Sequence, residues 1–146
     1  MKKRLLLLIL MALPLFISSC SDDDGEGAPM KWETEVKGIT SSNGYIQLPS
    51  EGGTFVFQCT NYDSFWLTGV TEQEAGGEEH RSEPMYADGN LSIIANWLTA
   101  KTEGNKLTIT ISPTTSNGNR FMKVFVQNGD VFDEFKFKQR GLKVGL

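Results

Sequence analysis

Beyond Ala28, apolar and polar residues alternate in short runs separated by turn signals. "TFVFQCT" (Thr54 to Thr60) places Phe55, Phe57 and Cys59 on one side, and Thr54, Val56, Gln58 and Thr60 on the other. That is the two-residue period of a strand. "KLTITIS" (Lys106 to Ser112) is the cleanest case, with Leu107, Ile109 and Ile111 inward and the threonines outward. "YIQLP" (Tyr45 to Pro49) and "FWLTGV" (Phe65 to Val70) are further runs, and "MKWETEV" (Met30 to Val36) reads as an edge strand protected by Lys31, Glu33 and Glu35. "FMKVFVQ" (Phe121 to Gln127) meets "VFDEFKFKQ" (Val131 to Gln139) across Asn128-Gly129-Asp130, a hairpin cue because both central residues tolerate positive φ. No stretch carries a helical period. Many short strands at regular spacing predict an all-β sandwich.

One segment breaks the pattern. Thr71 to Asn90, "TEQEAGGEEHRSEPMYADGN", is polar, acidic and glycine-bearing. Long structureless loops are uncommon in compact domains and are often functional or disordered. The segment therefore reads as a loop excursion from the sandwich.

The first thirty residues follow another logic. Lys2, Lys3 and Arg4 precede thirteen residues, Leu5 to Ile17, that are apolar throughout. A helix needs ~20 such residues to span a bilayer core, so this is an export signal rather than an anchor. It ends in Ile17-Ser18-Ser19-Cys20, which resembles the lipobox of bacterial lipoproteins. In that family the peptide is cut before the cysteine, whose sulfur takes a diacylglycerol. The division that follows is a signal peptide over 1–19, a lipidated tether over 20–29 with Cys20 as attachment point, and one domain over 30–146. Ser21 and Asp22 to Asp24 keep the new N-terminus hydrated. They resemble the acidic tag of surface-exposed Bacteroidetes lipoproteins, which implies an outer-membrane anchor facing the cell exterior.

Charge narrows the partners. The chain carries 14 bases and 18 acids, net −4. Removing Lys2, Lys3 and Arg4 with the signal leaves 11 against 18, or −7. Nucleic-acid binding needs clustered Lys and Arg, so nucleic acid is not an expected partner. With Cys20 assigned to lipid, Cys59 stands alone in an apolar strand and reads as a small hydrophobe.

Several pieces then fall in order: Glu51-Gly52-Gly53-Thr54, Thr60-Asn61, Trp66, Asn96-Trp97-Leu98-Thr99, Asn119-Arg120 and Gln139-Arg140-Gly141. The series resembles the Bacteroidetes-associated carbohydrate-binding, often N-terminal (BACON) domain over about Tyr45 to Gly141. Two features depart from it, a long step from Asn61 to Trp66 and the acidic 71–90 segment. The resemblance implies an immunoglobulin-like two-sheet sandwich of about seven strands. It also implies contact with glycans, mucin among them, or a spacer role.

Sugar binding by a sandwich uses exposed rings that stack on pyranose faces, with carboxylates and amides holding the hydroxyls. Tyr62, beside Asn61 and Asp63, and Tyr86, near Glu83 and Asp88, are the expected exposed rings. Either hydroxyl could instead sit in water while its ring covers the core edge. Trp66 is a third candidate, although it and Trp97 lie in strand-like runs where a tryptophan is usually core. Glu78, Glu79, His80, Glu83 and Asp88 match no calcium-loop spacing, and zinc would want more His or Cys. No metal, cofactor or catalytic residue is expected. The expected function is a lipid-anchored glycan-binding lipoprotein, the alternative a non-catalytic adhesion or spacer module that contacts a cell-surface protein.

Overall fold

The computed structural model describes residues 27–34, 40–42, 44–87 and 90–142. The expected signal peptide, Cys20 and Asp22 to Asp24 lie outside them. Among the described residues there is no helix, and two sheets of six strands pack face to face. The first sheet runs in the order β1 (Trp32–Glu33), β4 (Gly53–Cys59), β10 (Lys106–Ile111), β9 (Leu98–Glu103), β8 (Asn90–Ile94), β7 (Met85–Ala87). The second runs β2 (Thr40–Ser42), β3 (Tyr45–Leu48), β12 (Val131–Gln139), β11 (Arg120–Asn128), β5 (Trp66–Glu74), β6 (Glu79–Ser82). Their ladders are antiparallel except β3 with β12.

Alternation builds the core as expected. Phe55, Phe57 and Cys59 of β4 and Leu107, Ile109 and Ile111 of β10 are buried against Met122, Val124, Val126, Phe135 and Phe137 of the other sheet. Phe57 meets Phe135 at 4.6 Å between ring centroids, and Phe55 meets Phe137 at 6.3 Å. Each such side chain contributes about 1.5–3 kcal/mol on burial. Cys59 is a free thiol in this core, its Sγ 3.4 Å from Asn61 Oδ1.

The turns hold two details. Gly52 has φ +70°, and a Cβ there would stand 2.1 Å from the Ile111 carbonyl oxygen, so the turn into β4 admits glycine alone. In the β11–β12 hairpin Asn128 pairs with Val131. The two central residues are therefore Gly129 and Asp130, and Asn128 closes the strand instead of turning it.

The 71–90 segment is not a loop. β5 continues to Glu74, a hairpin returns as β6, and Glu83-Pro84 carries the chain to β7 on the opposite sheet. Its polar composition misleads because the inward residues there are carboxylates, Glu72 and Glu74, and because β6 and β7 are edge strands with little core to cover. These edges, with the short β1 and β2, raise the strands to twelve among the described residues where about seven were expected.

Candidate functional site

The outer face of the second sheet carries its chemistry. Along β11, Phe121, Lys123, Phe125 and Gln127 point outward, opposite Lys138, Lys136, Glu134 and Phe132 of β12. On the far side, β5 pairs Gln127 with Trp66 and Phe125 with Gly69. The register steps there, because consecutive residues Phe125 and Val126 pair with Gly69 and Leu67. Thr68 is the extra residue of a β-bulge, a device that re-aims side chains. The bulge turns Trp66 outward while Val70 and Glu72 remain inside. Arg81 of β6 lies flat over this spot. Its Nη2 donates to the Thr68 carbonyl at 2.8 Å, and its guanidinium stacks 5.5 Å from the Phe125 ring. Gly69 gives it room, since a Cβ there would come within 2.3 Å of Nη2.

Three strands thus align Trp66, Gln127 and Phe132 in one row. Trp66 is 52% exposed and Phe132 70%. Neighbouring strands lie ~4.8 Å apart, so the two ring-bearing strands are separated by about 10 Å. Gln127 lies between the two in register, and its Nε2 donates to the Gly129 carbonyl of the turn at 2.7 Å. The reading of Trp66 as core is overturned by the bulge. Phe132 was overlooked, although it shares its alternation phase with Glu134, Lys136 and Lys138.

The two tyrosines part ways. Tyr62 is not an exposed ring: it packs partly buried against the core and its hydroxyl donates to the Ala28 carbonyl at 2.5 Å. Asn61 ties the same segment, with Nδ2 donating to the Pro29 carbonyl and Oδ1 accepting from Lys31 N. Tyr86 is 74% exposed, as expected, but it sits on edge strand β7 of the other sheet. The row does not include it.

A second region is polar but structural. Glu72, 2% exposed, accepts from the backbone N–H groups of Asn96 (3.0 Å), Trp97 (2.6 Å) and Leu98 (3.0 Å), locking the β8–β9 turn across the sandwich. Glu74 Oε1 accepts from Ser116 Oγ. Arg120 lies buried with its guanidinium 4.4 Å over the Trp97 ring, which explains that tryptophan's place. Burial lowers the Arg120 pKa, and the charges of Glu74 and then Glu72 oppose the shift. A cleft of about 390 Å³ opens beside them, lined by Glu74, Gly77, Glu78, His80, Asn96 and Trp97. Of its carboxylates, Glu74 is already engaged. No group of three or more His, Cys, Asp or Glu suited to a metal occurs among the described residues.

No family model matches the chain, and no curated protein does. Among solved structures the chain is similar to an NMR structure of a protein from Bacteroides thetaiotaomicron. The identity is 35%, the match covers 84% of this chain and 95% of that one, and the TM-score is 0.65.

Proposed function

The chain belongs to the same family as that Bacteroides thetaiotaomicron protein, and from this premise we propose that it is a lipid-anchored, non-catalytic surface module that binds glycan on the outer face of its second sheet. The row Trp66–Gln127–Phe132 carries the reading: two exposed rings flank a hydrogen-bonded glutamine across three adjacent strands. Rings so spaced stack on the C–H faces of sugars in one oligosaccharide, and the amide holds a hydroxyl between them. The lipobox-like Ile17 to Cys20 and the aspartates after it support anchoring at the outer membrane with display to the exterior. A family member in Bacteroides accords with the lipoprotein and BACON resemblances alike.

A glycan array followed by titration tests this. Trp66→Ala and Phe132→Ala each lose about tenfold in affinity or more, ~1.4 kcal/mol, without lowering the unfolding midpoint, because both rings stand in solvent. Unchanged binding in both variants overturns the row.

A protein partner is the second reading, and one observation favours it. Met85 and Tyr86 on edge strand β7, with Ile94 on β8, expose large apolar groups beside an open strand edge. Pull-down of a cell-surface protein by the wild type but not by Tyr86→Lys, with no glycan bound, selects it.

A further inference from the structure

Two lysines face each other across the β11–β12 ladder. Lys123 and Lys136 are direct partners, and Lys138 follows on the same face opposite Phe121. Like charges directly opposite destabilise a strand pair, so the sheet carries this arrangement at some cost to its own stability. Lys136 and Lys138 stand over an aromatic floor, while Lys123 reaches toward Glu79 of β6. Tyr45 and Phe121 meet edge to face at 5.7 Å, Lys136 Nζ lies 5.8 Å from the Tyr45 centroid, and Lys138 Nζ lies 5.8 Å from that of Phe121. Glu134 sits 3.2 Å from Lys136 Nζ and Glu79 3.9 Å from Lys123 Nζ. Both pairs are solvent-accessible, where such bridges are worth ~0–1 kcal/mol and yield readily to a ligand. Among the described residues no carboxylate pairs with Lys138.

The charge balance of this face opposes that of the molecule. The face presents Arg81, Lys123, Lys136 and Lys138 against Glu79, Glu134 and Glu83, the last paired with Arg81 at 2.7 Å. Subtracting these four bases and three acids from the chain's 14 and 18 leaves 10 against 15 elsewhere. The cluster is all lysine. A guanidinium fork binds carboxylate or phosphate bidentately, whereas ammonium groups act as point charges that tolerate an oxyanion approached from several sides. Gln127, in the aromatic row, lies four residues from Lys123 along β11, about 13 Å.

We infer that the ligand of this face is a sulfated glycan, its sulfate ester held by Lys123, Lys136 and Lys138 while its sugar rings run along the ladder to Trp66 and Phe132. The inference rests on the glycan reading and adds the ligand's charge to it. A bilayer of anionic phospholipid offers similar oxyanions, but the acidic remainder of the molecule opposes approach to such a surface.

The full chain is titrated with dextran sulfate, with unsulfated dextran and with phosphatidylglycerol vesicles, over a range of salt. Dextran sulfate binds at least tenfold more tightly than dextran, and its affinity falls steeply as salt rises. The triple variant Lys123→Gln, Lys136→Gln, Lys138→Gln loses at least tenfold toward dextran sulfate, while its unfolding midpoint holds or rises because the like-charge pair is gone. Equal affinity for the two dextrans, or a triple variant that binds dextran sulfate like the wild type, overturns the sulfate site and leaves the aromatic row standing. Tighter binding to the vesicles than to dextran sulfate overturns it in favour of lipid. Loss in the lysine variant, with no change in a Trp66→Ala, Phe132→Ala double variant, upholds the sulfate site and removes the aromatic row.

Discussion

Glu72 shows how one side chain can hold two sheets in place. Its carboxylate accepts three successive backbone N–H groups from the turn of the facing sheet, and hydrogen bonds to a charged group are worth about 1.5–3 kcal/mol each. Glu72→Gln keeps the shape but turns an NH₂ toward those donors, so urea denaturation should show a loss of about 2 kcal/mol or more. Glu103 gives the contrasting surface case. A hydrogen bond from Lys101, at 2.9 Å, and then the charge of the same lysine hold its carboxyl below the usual range. The folded pKa lies below the unfolded one, so the contribution is fully present above the unfolded value and fades as pH falls through the folded one. Glu103→Gln is therefore slightly less stable than the wild type at neutral pH, and the two unfolding midpoints converge in acid. At this level the chain was partly legible. Cys59 as a small hydrophobe followed from its phase in β4. The burial of Tyr62 did not, because its hydroxyl is bound by Ala28, thirty-four residues earlier.

Among the strands, the legible ones were those whose inward face is wholly apolar, β4 and β10 above all. Where inward positions are carboxylates, as in β5, alternation gives no signal, and 71–90 reads as loop although it holds strands of both sheets. Trp66 fails for a different reason. Counted back from Val70 in steps of two it falls inside, and only the extra residue Thr68 turns it out. A bulge leaves no mark in the hydrophobic pattern when the residue inserted is a threonine. The β11–β12 hairpin tests the opposite case, a turn read correctly in place but shifted in phase. Gly129, at φ +55°, occupies a left-handed position. Gly129→Ala there costs about 1–2 kcal/mol, read as a lower denaturation midpoint with the register of the hairpin unchanged in amide NMR.

For the molecule as a whole, two chemically distinct faces emerge. The outer face of the first sheet is rich in threonine, with Thr54 and Thr110 bonded side by side across β4 and β10, whereas the second sheet's outer face gathers rings and cations. The division into an all-β sandwich could be read from the chain. Of the candidate row only Trp66 was named from the chain, because the row assembles from β5, β11 and β12, whose neighbourhood depends on the long-range order of the strands. The Ala28 carbonyl, clasped by Tyr62, also ties the start of the described chain to the edge of the core. Trp32, just downstream, packs its ring edge against Phe65 at 5.0 Å, and Trp66 is the next residue. If Cys20 is lipidated, as proposed, the eight chain steps from it to Ala28 reach at most ~28 Å. Under the proposed anchoring the ring-bearing rim of the sheet would be leashed within a few nanometres of the bilayer, a gap open to slender, pliable polymers and closed to bulky globular visitors.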